Sequence, residues 1–167
     1  MELQHAKLLT AITAYDKGAA HRAQHLVKVH GFAAAIGTLE GLDQETLFIL
    51  ETAAIVHDIG IPLSEKKYGS CDGKYQEIEG PAEAEKLLNQ VGGYSPEQIQ
   101  RVAWLVGHHH TYDNIQGMDY QILVEADFLV NLYEHNSPKS AVEQAREKIF
   151  KTKSGRDLLD SIFCNKK

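Results

Sequence analysis

Cysteine is nearly absent: Cys71 and Cys164 are the two in the chain, and they form neither a CxxC pair nor a disulfide framework. A reduced, cytoplasmic setting is the expectation that follows. Positive charge is also short, with 17 Lys and Arg against 23 Asp and Glu and a formal net charge of -6. That balance excludes the basic surplus on which binding to a nucleic-acid polymer runs, while leaving small phosphate compounds open. No apolar run approaches the length of a membrane-spanning helix, so no membrane partner is expected. Met1 to Leu8 is polar and lacks the apolar centre of a signal peptide. Missing too are an alternating strand pattern, an internal repeat, a low-complexity tail and a nucleotide-binding glycine-rich motif. What is there, 43% hydrophobic and 24% charged residues over 167 positions, is the composition of an ordinary globular chain. The simplest organisation is one domain over 1–167 with a core of its own.

Apolar residues recur at helical spacing through most of the chain. Leu3 to Ala14 reads as a short amphipathic helix, and Ala19 to about Leu39 as a long one built on Leu26, Val29, Phe32, Ala33 and Ile36. On that long helix His25 projects into the apolar sector, His21 lies at its edge and His30 falls outside it, which predicts His30 in solvent. Asp43 is a good N-cap for a helix through Val56 that delivers His57 and Asp58 at its end, closed by Gly60 and Pro62. Residues 61–78 break the periodicity and read as a long polar loop, of the kind that is functional or disordered in a compact domain. Gly80-Pro81 opens the next helix with proline in its first turn, and Ser95 caps another that runs into His108-His109-His110. Residues 119–134 form an apolar helix with Glu125 and Asp127 set inside it, and acids so placed are either paired or bound to a cation. Two further helices close the chain over 137–163. The expected fold is all-α, a compact helical bundle with its core in about 20–135.

Four segments present donor side chains on an apolar background: His25, His57-Asp58, His108-His109 and Asp127. Each alone reads equally well as a hydrogen-bonded core residue or a helix-end pair. Together they place several buried polar groups that all need partners. One cation between packed helices would satisfy them collectively.

This arrangement resembles the HD-domain phosphohydrolases, whose pattern is a first histidine, a His-Asp doublet downstream and a distal aspartate. Here His25-Leu26-Val27-Lys28-Val29 is followed, 32 residues from histidine to histidine, by Ala54-Ile55-Val56-His57-Asp58-Ile59-Gly60. Val124-Glu125-Ala126-Asp127-Phe128-Leu129 is similar to the closing motif. The resemblance implies a compact all-α bundle and a divalent ion (Fe, Mn, Ni, Co, Zn or Mg) held by His25, His57, Asp58 and Asp127, with His57 and Asp58 as the catalytic doublet. Some members hold a second ion with a middle histidine and a later His-His pair. That implies Glu79, in the middle position, with His108 and His109, His110 outside, and Asp58 bridging both ions. The activity implied is hydrolysis of a phosphate ester or anhydride of a small molecule, a nucleotide among the candidates, by metal-activated water. Arg22, Lys67 and Lys74 are either phosphate contacts or ordinary surface bases. The competing implication is a non-catalytic regulatory or ligand-binding module of the same fold with a structural metal. Self-association into a homo-oligomer is left open.

Overall fold

The computed structural model describes residues 1–163, so the expectation for Cys164 lies outside the described residues, while Cys71 is exposed and free. Nine helices follow one another among the described residues: α1 Leu3–Tyr15, α2 Ala20–Leu39, α3 Gln44–Val56, α4 Ile61–Tyr68, α5 Gly73–Val91, α6 Pro96–Val106, α7 Met118–Glu134, α8 Lys139–Lys148 and α9 Lys153–Phe163. No strand occurs among them.

The centre of the bundle is α3, which packs on α1, α2, α6 and α7. Its run Thr52-Ala53-Ala54-Ile55-Val56 is wholly buried, and the small residues at 53 and 54 let neighbouring helices come close. Each fully buried Leu or Ile here, such as Leu50 and Ile55, is worth about 1.5–3 kcal/mol relative to exposure. The start of α3 is set by Asp43, whose Oδ1 accepts from the Thr46 amide at 3.0 Å. The start of α6 is set by a capping box, in which Ser95 accepts from the Gln98 amide while the Gln98 side chain accepts from the Ser95 amide. On α7 the buried acid Glu125 is paired within the fold and belongs to no group of metal-ligand atoms among the described residues. It accepts from Gln121, from the Lys151 and Thr152 amides and from the Thr152 hydroxyl, tying α7 to the start of α9.

Four expectations change. Residues 61–78 are not a loop: α4 and the first turns of α5 occupy most of that span. Pro81 does not open a helix but lies inside α5, where its ring packs against Gly107 at the end of α6. The ladder bond that proline forfeits is offset by this packing of α5 on α6. His30 is buried rather than solvated, because α1 folds over that face of α2 and brings His5 beside it. Finally, the run Gln44–Tyr68 is long and apolar enough for a membrane span by length and composition, although half of its most apolar window is buried inside the bundle. Its place as the core helix accounts for that composition.

A close backbone approach positions α5. A Cβ at Gly60, in the turn after α3, would lie 2.7 Å from the Gln76 carbonyl oxygen and 2.9 Å from the Gly80 nitrogen. Only glycine permits that contact, and it brings Gln76 alongside the His57-Asp58 turn.

Candidate metal centre

His25 enters from α2, His57 and Asp58 from the turn ending α3, Asp127 from α7, and His109 and His110 from the turn ending α6. His25 Nε2 lies 3.2 Å from His57 Nε2, 3.5 Å from Asp58 Oδ2 and 3.2 Å from Asp127 Oδ1. His57 Nε2 is 3.6 Å from Asp58 Oδ2 and 3.5 Å from Asp127 Oδ1. The other oxygen of Asp58, Oδ1, is 3.5 Å from His109 Nε2, so this carboxylate faces two groups of donors. Asp58, His109 and His110 make up the second group.

Helix ends set the orientation of the rings. The last carbonyls of a helix lack intrahelical donors, and here imidazoles supply them. His57 Nδ1 donates to the Ala54 carbonyl at 2.9 Å, and His109 Nδ1 to the Val106 carbonyl at 2.8 Å. His25 Nδ1 instead meets Glu134 Oε2 at 2.9 Å, and Lys28 also pairs with Glu134. With each Nδ1 committed, each Nε2 presents a lone pair to the interior, the arrangement by which outer partners orient metal-binding histidines. Asn131 adds a 2.8 Å hydrogen bond to Asp127 Oδ1.

A divalent ion fits this donor set. Ligand atoms about 2.1 Å from an ion lie roughly 3.0–3.4 Å apart at octahedral or tetrahedral angles, close to the spacings just given. Two bare Nε2 atoms facing each other at 3.2 Å would repel without a positive charge between them. His109 Nε2 and His110 Nε2 are buried and make no hydrogen bond. The titration behaviour carries the same message. Burial disfavours a charged His57 ring, yet the carboxylates of Asp58 and Asp127 outweigh it and raise His57 to about 9. Burial also opposes ionisation of Asp58 and Asp127, but neighbouring imidazoles hold both well below the usual carboxylate range. Burial, helped by His109, pushes His110 down to about 4, so this ring is a neutral donor at physiological pH. The pocket favours positive charge at its centre.

Several candidates from the sequence stand elsewhere. His108 turns away: its Nδ1 donates to the Trp104 carbonyl at 2.7 Å and its ring stacks on Trp104, so of the three histidines it is 109 and 110 that join the donors. Glu79 is occupied by Lys67 Nζ at 2.6 Å and Tyr68 Oη at 2.7 Å, and belongs to no donor group among the described residues. Lys67 is thereby committed to Glu79, and Lys74 lies over the Tyr75 ring, neither lining the cavity at the centre. Arg22 does line it, with its guanidinium held by Asp16 and 3.5 Å from Glu65. That cavity, about 360 Å³, is also bounded by His25, Asp58, Gln76, His110 and Asp127.

Residues not anticipated from the sequence are Gln76, His110, Asn131 and Glu134. Gln76 donates to the Cys71 carbonyl at 2.7 Å, while its Oε1 is buried and unpaired at the cavity. Gly73 backs His110 so closely that a Cβ would fall 2.5 Å from the ring. The helical spacing of Asp127, Asn131 and Glu134 on one face of α7 is a signal that could have found the last two.

A helical bundle that gathers histidines and aspartates from facing helices at one cavity is an architecture suited to metal binding. The profile of the HD domain matches residues 22–153, and the chain belongs to the HD domain family. The crystal structure of a predicted HD superfamily hydrolase from an uncultured Thermotogales bacterium has the same fold, with a TM-score of 0.65 at 21% identity, covering 93% of this chain and 83% of that one. Among curated proteins nothing matches.

Proposed function

We propose that this protein is a metal-dependent phosphohydrolase that cleaves a phosphate ester or anhydride of a small molecule, with nucleotides as the first class to test. The observation that carries this reading is that His25, Asp58 and Asp127 line an open cavity and converge with the buried His57 Nε2 just behind its wall. A structural site closes all its positions with protein ligands, whereas a catalytic one keeps a position for water. The cavity supports the second arrangement over a regulatory module with a purely structural ion.

In this reading His25, His57, Asp58 and Asp127 hold a divalent cation, and Asp58 with His109, His110 and the Gln76 oxygen offers places for a second. A bound divalent ion supplies hydroxide near neutral pH and polarises a phosphoryl oxygen. The protein's part is to fix the donors: Glu134, Ala54 and Val106 hold the rings, and Asn131 holds Asp127. Arg22 at the cavity wall is the cationic side chain placed to meet a phosphate oxygen. The protein of the related crystal structure is a predicted HD superfamily hydrolase, which is consistent with this reading.

The test is elemental analysis of untagged protein followed by a screen of nucleotides, dinucleotides, sugar phosphates and generic phosphoesters. The screen is run with Mn, Fe, Co, Ni, Zn or Mg added. At least one metal per chain and hydrolysis that disappears in Asp58→Ala are expected. Metal uptake without hydrolysis of any compound would favour the regulatory module.

A further inference from the structure

Little more than a helical turn from the centre, the same two helices carry another group of donors. His30 on α2 and Glu51 on α3 meet His5 of α1, and the three offer donor atoms within 4.8 Å of one another. His30 Nε2 is 2.9 Å from Glu51 Oε2, and His5 Nδ1 is 3.2 Å from the same oxygen. His5 is 1% exposed and His30 7%. The ring of His5 is fixed by stacking on Phe48, with centroids 4.8 Å apart.

The hydrogen bonds around His5 decide its chemistry. The Thr52 hydroxyl donates to the Phe48 carbonyl at 2.7 Å, so towards His5 Nε2, 3.1 Å away, it is an acceptor. Nε2 therefore carries the hydrogen and Nδ1 is left with a lone pair. That lone pair is buried and makes no hydrogen bond, although a carboxylate oxygen lies within reach. Two electron-rich atoms, His5 Nδ1 and Glu51 Oε2, face each other at 3.2 Å with no hydrogen bond joining them. His30 Nε2–H donates to Glu51 Oε2 at 2.9 Å, so a divalent ion that displaced that one proton would satisfy His5 Nδ1, His30 Nε2 and Glu51 together.

We propose that His5, His30 and Glu51 form a separate Zn²⁺-class site that ties α1 to α2 and α3. Two imidazoles and one carboxylate are a borderline donor set suited to zinc and its neighbours rather than to calcium or magnesium. The site is distinct from the centre at Asp58 and shares no ligand with it. Glu51, with a side chain 16% exposed, admits water to a fourth position.

The experiment counts metal with Co²⁺ as the spectroscopic probe, in the unaltered protein, Asp58→Ala, Glu51→Gln and the Asp58→Ala/Glu51→Gln double variant. Glu51→Gln is expected to bind one equivalent fewer than the unaltered protein while keeping its hydrolytic activity. Asp58→Ala is expected to retain that equivalent, with the strong visible absorption of four-coordinate Co²⁺, and to gain thermal stability on adding Zn²⁺. The double variant loses both signals. His30→Gln repeats the count should Glu51→Gln fold poorly. Asp58→Ala without four-coordinate Co²⁺ absorption, or a Zn²⁺-induced rise in Tm that persists in the double variant, would overturn the proposal. Because the count is made with the Asp58 centre disabled, loss of hydrolysis there leaves this test intact.

Discussion

The α2–α3 pair carries two clusters of histidine and carboxylate, one at His25 and His57-Asp58, the other at His30 and Glu51. Their donor chemistry is similar, but their surroundings are not. The first opens onto a cavity of about 360 Å³ lined by Arg22, Gln76 and His110. The second is covered by α1, whose His5 and the stacked Phe48 close over it. The difference teaches that ligand type alone does not assign a role. Room for a substrate separates a site that can do chemistry from one that can only hold helices together.

That contrast can be broken most forcefully at Asp58. Asp58→Ala should lower hydrolysis by about a thousandfold, the loss expected when metal-assisted charge stabilisation of several kcal/mol disappears. Steady-state kinetics on any compound found in the screen check it, and an equal loss in Glu51→Gln would erase the distinction between the clusters. Next in size is Glu134→Gln, which leaves every ligand in place but weakens the hold on His25 Nδ1. Metal affinity measured by competition with a chelator should fall roughly 10–100-fold, as for other outer-shell partners. Smaller still is Arg22→Ala, which should raise KM about tenfold with kcat retained, the signature of a lost charge-assisted contact made equally in both states. Lys67→Ala, whose ammonium sits on Glu79 away from the cavity, should leave KM unchanged. Gly60→Ala tests the scaffold instead of the site. Its methyl would meet backbone atoms of Gln76 and Gly80 rather than a flexible side chain, and thermal unfolding should report a loss of about 1–3 kcal/mol.

The parts of the fold written in helical periodicity could be read directly. The apolar faces of α2, α3 and α7 announce themselves in Leu26, Val29 and Ile36, in Leu50 to Val56 and in Ile122 to Val130, all now in the core. The caps at Asp43 and Ser95 are local chemistry and were equally legible. What depends on tertiary contact was not. Pro62, Gly69 and Gly73 read as breaks between residues 61 and 78, yet the Gly60–Gly80 contact and the packing of α5 on α6 support helices there. On α5 it is Gln76, three positions before Glu79, that lines the cavity, a placement set by where α5 begins. Three adjacent histidines are indistinguishable in sequence. Which of them turns inward is decided by how α6 ends, with the 108 ring claimed by the Trp104 carbonyl and the 109 ring by Val106. His30 seemed outward because no pattern within α2 tells that α1 will cover it.

One consequence concerns α7. Its acids are gripped on different sides, Glu125 by the Lys151-Thr152 corner and Glu134 by His25 Nδ1 and Lys28 of α2. A rod fastened in this way cannot roll about its axis without releasing one set of attachments. The coordination sphere is therefore moulded before any ion arrives, and exchange of one metal for another should proceed without refolding the scaffold around it.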